Sequence, residues 1–255
     1  MTILRVTALL PGVQSCPSCN RALHYRPLAG SDHQNFLRSA PRRSDRALTL
    51  QASQAAHQTV MVMTESSELE IGTPAPAFEL LEPLTGDMVR LSRFENASAT
   101  LVMFICNHCP FVKHLKAEIA SVAKDFQPKN VAVIAISSNS VETHPQDGPD
   151  EMAKDATTQG YTFPYLYDAD QAVAQAYKAM CTPEFYIFDQ RQELAYHGRF
   201  DESRPKNDKP VTGADVRNAL DSVLSGKKLS SKSIPSIGCN IKWHPGKEPS
   251  YFGVQ

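Results

Sequence analysis

The chain has 255 residues, 42% of them hydrophobic, with 18 Pro, 12 Gly and a formal charge of −1. That length suits one ordinary domain with extensions, able to bury a core without disulfide staples. No apolar run reaches the ~18–20 residues of a membrane span, and no basic patch with interleaved aromatics suggests nucleic acid, so neither a membrane nor a nucleic-acid partner is expected.

Residues 1–60 hold seven Arg, no Lys, and only Asp32 and Asp45 as acids, which leaves the remainder of the chain mildly acidic. Leu9-Leu10 is cut short by Pro11-Gly12, so no secretory apolar core forms. An Arg- and Ser-rich, acid-poor leader of this kind reads as an organellar transit peptide, for a chloroplast with a mitochondrion as the alternative. The other reading is an upstream extension before a start at Met61 or Met63. Cys16 and Cys19 have Cys-x-x-Cys spacing but fall within this leader, with no strand before them.

From Glu70 the character changes. Ile71–Leu80 is a proline-stiffened approach to a short strand, Pro83–Asp87 a turn and Met88–Leu91 a second strand, together an N-terminal β-hairpin. Leu101–Ile105 is a buried strand, and Phe111, Val112, Leu115, Ile119, Val122, Ala123 and Phe126 recur at helical spacing over 110–125. Val131–Ile136 reads as a fully buried parallel strand, followed by a polar loop over 137–149. Next come a helix over 150–159 ended by Gly160, a strand Tyr165–Asp168 and an Ala-rich helix Ala169–Tyr177. The apolar run after Pro183 pairs with a strand over 194–200. Thr212 with Asp215 resembles a capping box for a last helix that Gly226 ends. Residues 70–226 thus form the domain, and 227–255 a tail without a clear period, expected to wrap the domain or to be partly disordered.

Alternating strands and helices followed by an antiparallel pair imply an α/β fold, a mixed central sheet flanked by helices. Between its first strand and helix stand Cys106 and Cys109. Two cysteines three apart at such a junction are expected to lie in the first helical turn, where free N–H groups and the helix dipole favour a thiolate. With this βα context the fold is thioredoxin-like. The pair reads as a redox dithiol, with Cys106 the attacking thiolate at a pKa lowered toward ~7 and Cys109 the resolving thiol. His108 is a candidate helper of the thiolate. Cys181 is a candidate third thiol, whereas Cys239 in the tail has no assigned role.

The segments Phe104–His114, Cys181-Thr182-Pro183, Gly198–Asp201 and Ser236–Trp243 resemble, in this order, the peroxiredoxin-like redoxins of the alkyl hydroperoxide reductase and thiol-specific antioxidant superfamily. The resemblance spans Glu70 to Trp243. It implies a cis-proline loop at Thr182-Pro183 facing the dithiol. It also implies a protein disulfide or hydroperoxide as substrate and a thioredoxin- or glutathione-type reductant. Under the alternative peroxidase reading Cys109 matches the peroxidatic cysteine and Arg199 supplies a guanidinium to polarise peroxide. The family's threonine is replaced by Cys106 and its proline by Val102, a departure that counts against efficient peroxidase chemistry. A third reading is a copper(I)- or zinc-binding module on Cys106, His108 and Cys109, completed by His144 or Cys181. Without a Gly-rich phosphate loop no cofactor is expected. His57, His197 and His244 read as surface residues.

Overall fold

The computed structural model describes residues 63–67, 69–229 and 233–252. The leader 1–60, with Cys16, Cys19 and His57, lies outside the described residues. In chain order the strands are β1 (Met63–Glu65), β2 (Glu79–Leu81), β3 (Met88–Arg90), β4 (Ala99–Phe104), β5 (Val131–Ser137) and β6 (Tyr165–Tyr167). They continue as β7 (Cys181–Thr182), β8 (Glu184–Asp189), β9 (Leu194–Gly198) and β10 (Ile237–Asn240). The helices are α1 (Pro110–Phe126), α2 (Pro149–Gln159), α3 (Ala172–Ala176) and α4 (Ala214–Leu224).

The apolar runs build the centre. β4 and β5 pair in parallel with every residue buried, as strands covered on both faces require. β6 adds parallel to β5 and β8 antiparallel to β4, and the β2–β3 hairpin joins through β6. The order β3-β2-β6-β5-β4-β8-β9 is the mixed sheet of a thioredoxin-like fold, as expected. Alternate side chains then sort into two cores. Leu101, Met103, Val133 and Ile187 face α1, α2 and α4, while Val102, Phe104, Ile134 and Tyr186 face the hairpin and α3. The seven apolar positions read from helical spacing are the buried face of α1.

Several boundaries differ from expectation. The Ala-rich helix shrinks to α3 because Asp168, taking the backbone N–H groups of Val173 and Ala174, holds a turn before it. α4 is capped by Gly213 at φ +63 and not by Thr212. Asp201 accepts the N–H groups of Thr212 and Gly213, and Asp215 turns instead to Arg199. The tail is part of the fold: β10 pairs antiparallel with β1 on one side and β7 on the other, a three-stranded sheet that periodicity did not reveal. Beyond it Ile241 and Trp243 enter the second core, where Trp243 meets Tyr251 and Phe252 edge-on. His197 is not a surface residue either, since it is buried against Glu184.

Trp243→Ala empties this second core at one corner and should cost about 3–5 kcal/mol. A urea titration followed by far-UV circular dichroism measures it.

Candidate active site

β4 delivers the chain to Cys106, and Pro110 occupies the first position of α1 with Cys109 as N-cap. Proline lacks the N–H that a first turn leaves unused, and it holds the preceding residue in an extended conformation. Cys109 accordingly has φ −59° and ψ 125°. The helix therefore starts one residue after the second cysteine, and only Cys109 stands at its end. The expectation of both sulfurs in the first turn is corrected: Cys106 lies in the loop before the helix.

The Thr182 segment forms the opposite wall, and the Thr182-Pro183 peptide is cis, as the resemblance implied. Thr182 reaches both cysteines. Its hydroxyl lies 3.4 Å from Cys106 Sγ, and its carbonyl oxygen lies 3.2 Å from Cys109 Sγ. The buried carboxylate of Glu184 fixes this wall. It accepts the N–H groups of Met180 and Cys181 at 2.8 and 3.0 Å, and it is held by Tyr186 Oη and His197 Nε2 at 2.7 Å each.

β10 closes the third side. Cys239 is paired with Thr182, and its Sγ stands 3.0 Å from Cys109 Sγ. The close approach depends on Gly238, where a Cβ would come 2.1 Å from the Thr182 carbonyl oxygen. Below the loop, buried Asp147 accepts the backbone N–H groups of Asn107 and His108 at 2.9 and 3.1 Å, and Asn139 Nδ2 at 2.8 Å. His108 Nδ1 meets the same carboxylate at 2.5 Å and lies 3.9 Å from Cys106 Sγ. Lys116 ties the Asn107 carbonyl to Asp155 of α2.

These neighbours decide where negative charge resides. Burial pushes the Cys106 thiol up, and its hydrogen bond to Cys109 and the charge of Asp147 push the same way. Cys109 is held far below the ordinary thiol value by hydrogen bonds from Cys106, from Cys239 and from the Val112 N–H of the first helical turn, which outweigh its burial. As a thiol Cys109 can donate to Thr182; as a thiolate it accepts from its two cysteine neighbours. The thiolate expected on Cys106 is therefore favoured on Cys109. Cys239, donating to Cys109, is pushed up correspondingly. In Asp147 burial raises the carboxyl, but the hydrogen bonds from His108 and Asn139 more than offset it and hold the pKa below 3.8.

Of the residues singled out in the sequence, Cys106, Cys109, His108 and Thr182 converge here. Pro183 lines a narrow groove beside them with Phe111, His114 and Arg204. Arg199 borders that groove, but its Nε donates to Asp215 at 2.6 Å, so it is already ion-paired. Cys181 is buried with Sγ near the Pro183 carbonyl at 3.9 Å and makes no thiol contact like that of Cys239. The donor atoms that cluster within 4.8 Å of one another are those of Cys106, His108 and Asp147, so Asp147 stands in the place the sequence reading gave Cys109 as a metal ligand, while His144 stacks on the His108 ring. Sequence reasoning missed Asp147 and Glu184. A lone acid in a polar loop carries no signal, but Glu184, a charge opening a strongly apolar strand, was a detectable anomaly.

Residues 71–197 match the AhpC/TSA family. An uncharacterized conserved protein from Geobacillus kaustophilus is 49% identical, over 73% of this chain and 98% of its own, with a TM-score of 0.71. A hypothetical protein from Sinorhizobium meliloti 1021 is 44% identical over 72% and 100%, also at 0.71. No match was found among curated proteins.

Two outcomes follow from this geometry. The reduced protein should keep one thiolate, read as 240 nm absorbance, at about pH 6, well below the roughly 8.5 of a free thiol, and Cys109→Ser should lose it. Asp147→Asn should lower stability by roughly 1–3 kcal/mol, because buried donors lose a charged acceptor. Since the folded pKa of Asp147 is depressed, its contribution is whole above about pH 4 and is lost as pH falls through the folded value. The gap between wild type and variant should narrow in acid, as urea titrations at several pH values would measure.

Proposed function

This chain belongs to the AhpC/TSA family and is a redox enzyme, and from that premise we propose that it is a thiol–disulfide oxidoreductase working through Cys106 and Cys109. The observation that carries this reading is the N-capping position of Cys109, where the Val112 N–H and the neighbouring Cys106 thiol both stabilise its thiolate. The same sulfur that holds the charge has a second cysteine beside it to complete a disulfide.

The thiolate of Cys109 attacks one sulfur of a substrate disulfide, forming a mixed disulfide and expelling the other sulfur as a thiolate. Cys106 then gives up its proton to that leaving sulfur and attacks Cys109 Sγ. The Cys106–Cys109 bond forms and the second substrate sulfur departs as a thiolate. A thioredoxin-type dithiol, or two glutathione-type thiols in succession, reduces the bond and closes the cycle. Thr182 and Pro183 form the wall against which substrate docks, and His108, held by Asp147, borders Cys106. These assignments exchange the roles of the two cysteines relative to the sequence reading.

A peroxidase reading is favoured by one feature. Cys109 is 0% exposed and Cys106 1%, so a small hydroperoxide reaches the thiolate more readily than a protein chain does. Against it stand the replacement of the family's threonine by Cys106 and the commitment of Arg199 to Asp215. Copper or zinc on Cys106 and His108 would have to compete with the short His108–Asp147 contact. We further propose that residues 1–60 direct the protein to the chloroplast, on their Arg-rich, acid-poor composition; a fluorescent fusion of 1–60 found in mitochondria or cytosol would refute that.

Insulin-disulfide reduction and hydroperoxide consumption, measured on wild type, Cys106→Ser and Cys109→Ser, test the catalytic reading. Insulin turnover should fall to background in both variants, with little peroxide consumed by wild type. Rapid peroxide loss that needs Cys109 and survives in Cys106→Ser would transfer the assignment to a peroxidase. Inactivity in both assays with stoichiometric copper or zinc in the purified protein would remove both.

A further inference from the structure

The dithiol has a third sulfur in contact with it, supplied from far along the chain. Cys239 lies outside the 71–197 span that matches the family. Yet its Sγ is 3.0 Å from Cys109 Sγ, and closing that gap to the ~2.05 Å of a disulfide needs only about 1 Å of movement. The strand that carries it is held at many points. β10 pairs on both edges, Ile241 N–H donates to the Met180 carbonyl, and Lys242 N–H donates to Asn139 Oδ1. Gly238 admits the Thr182 carbonyl where any larger residue would push the strand away. The contact is thus built by the fold and is not the chance position of a loose tail. Cys181, the third thiol suggested by sequence, sits on the neighbouring strand with its sulfur near Pro183.

We propose that Cys239 is a third redox cysteine, which takes over the disulfide from Cys106 by attacking Cys109 Sγ. The inference rests on the dithiol reading above. In the step, Cys239 Sγ loses its proton and bonds to Cys109 Sγ while the Cys106–Cys109 bond breaks. Cys106 leaves as thiolate and takes up that proton, so one disulfide and one thiol are exchanged for another pair and no external oxidant or reductant is consumed. The exchange clears Cys106 and moves the oxidised bond onto the C-terminal strand. Cys239 is the least buried of the three, at 6% against 1% for Cys106 and 0% for Cys109. In the exchanged state a thiol reductant attacks Cys239 and expels Cys109, the sulfur whose thiolate is best stabilised.

The test is a disulfide map of the full chain. Wild type, Cys106→Ser and Cys239→Ser are oxidised with diamide, blocked with N-ethylmaleimide and digested with trypsin. Cys106 and Cys109 then lie in peptide 94–113, and Cys239 lies in peptide 233–242. Oxidised Cys106→Ser should lose the maleimide label from Cys239 and yield the two peptides joined. Cys239→Ser should carry only the bond within 94–113, and wild type should show both species. Cys239 fully labelled in oxidised Cys106→Ser and in wild type, with the bond within 94–113 formed normally, overturns the relay and leaves the dithiol reading standing. Absence of the 94–113 bond from wild type and from Cys239→Ser overturns both. The wild-type map needs no substitution, so it decides the matter even if a variant folds poorly. Near-UV circular dichroism of Trp243, the single tryptophan, reports whether each variant is folded.

Discussion

The buried carboxylate of Glu184 organises the site without touching either sulfur of the dithiol. Four donors converge on it, two from the backbone at Met180 and Cys181 and two from Tyr186 and His197. A charge removed from water is tolerated only when its lone pairs are filled, so the chain around it has little freedom to rearrange. The two residues after Met180 are β7, and the residue before the cis proline is Thr182, which touches Cys106 with its hydroxyl and Cys109 with its carbonyl oxygen. β7 in turn pairs with β10 and sets the position of Cys239. Thr182 and Cys239 thus owe their places around the dithiol to one carboxylate and a two-residue strand.

Electrostatics then divide the labour among cysteines that are chemically alike. Cys109 receives hydrogen bonds from both other thiols, with the helix start adding to them, which favours its anion; Cys106 is buried, hydrogen-bonded to Cys109 and faced by the charge of Asp147, which favours its thiol. Asp147 has the further task of holding the Asn107–His108 turn through two backbone N–H groups, so its charge is retained by the loop it shapes. A proline adds to this choice of thiolate. Had the helix begun at Cys106, both sulfurs would have shared its N-terminal field, but Pro110 defines the first helical residue and leaves Cys106 outside it.

Much of this was legible in the residues alone. Runs of buried β-branched side chains gave β4 and β5, because a strand covered on both faces has no polar positions to confuse its pattern. The face of α1 followed from its spacing, and the dithiol and the proline loop from their motifs. What escaped were short elements stabilised by partners distant in sequence. Two- to four-residue strands such as β1, β7 and β10 have too few positions to show a period. α3 was overextended because the aspartate that stops it acts through side-chain hydrogen bonds, which composition does not record.

By itself, the sequence determined the α/β architecture and the βα junction carrying Cys106 and Cys109, since local periodicity and residue-specific backbone limits are written into adjacent residues, while the proline loop opposite them was implied by the family resemblance. Tertiary structure alone decided which cysteine bears the charge, and that the sulfur meeting it comes from Cys239 and not Cys181. Both depend on distances of about 3 Å between residues up to 130 positions apart. A thiol's burial, hydrogen-bond donors and neighbouring charges exist only once the sheet has brought those residues together.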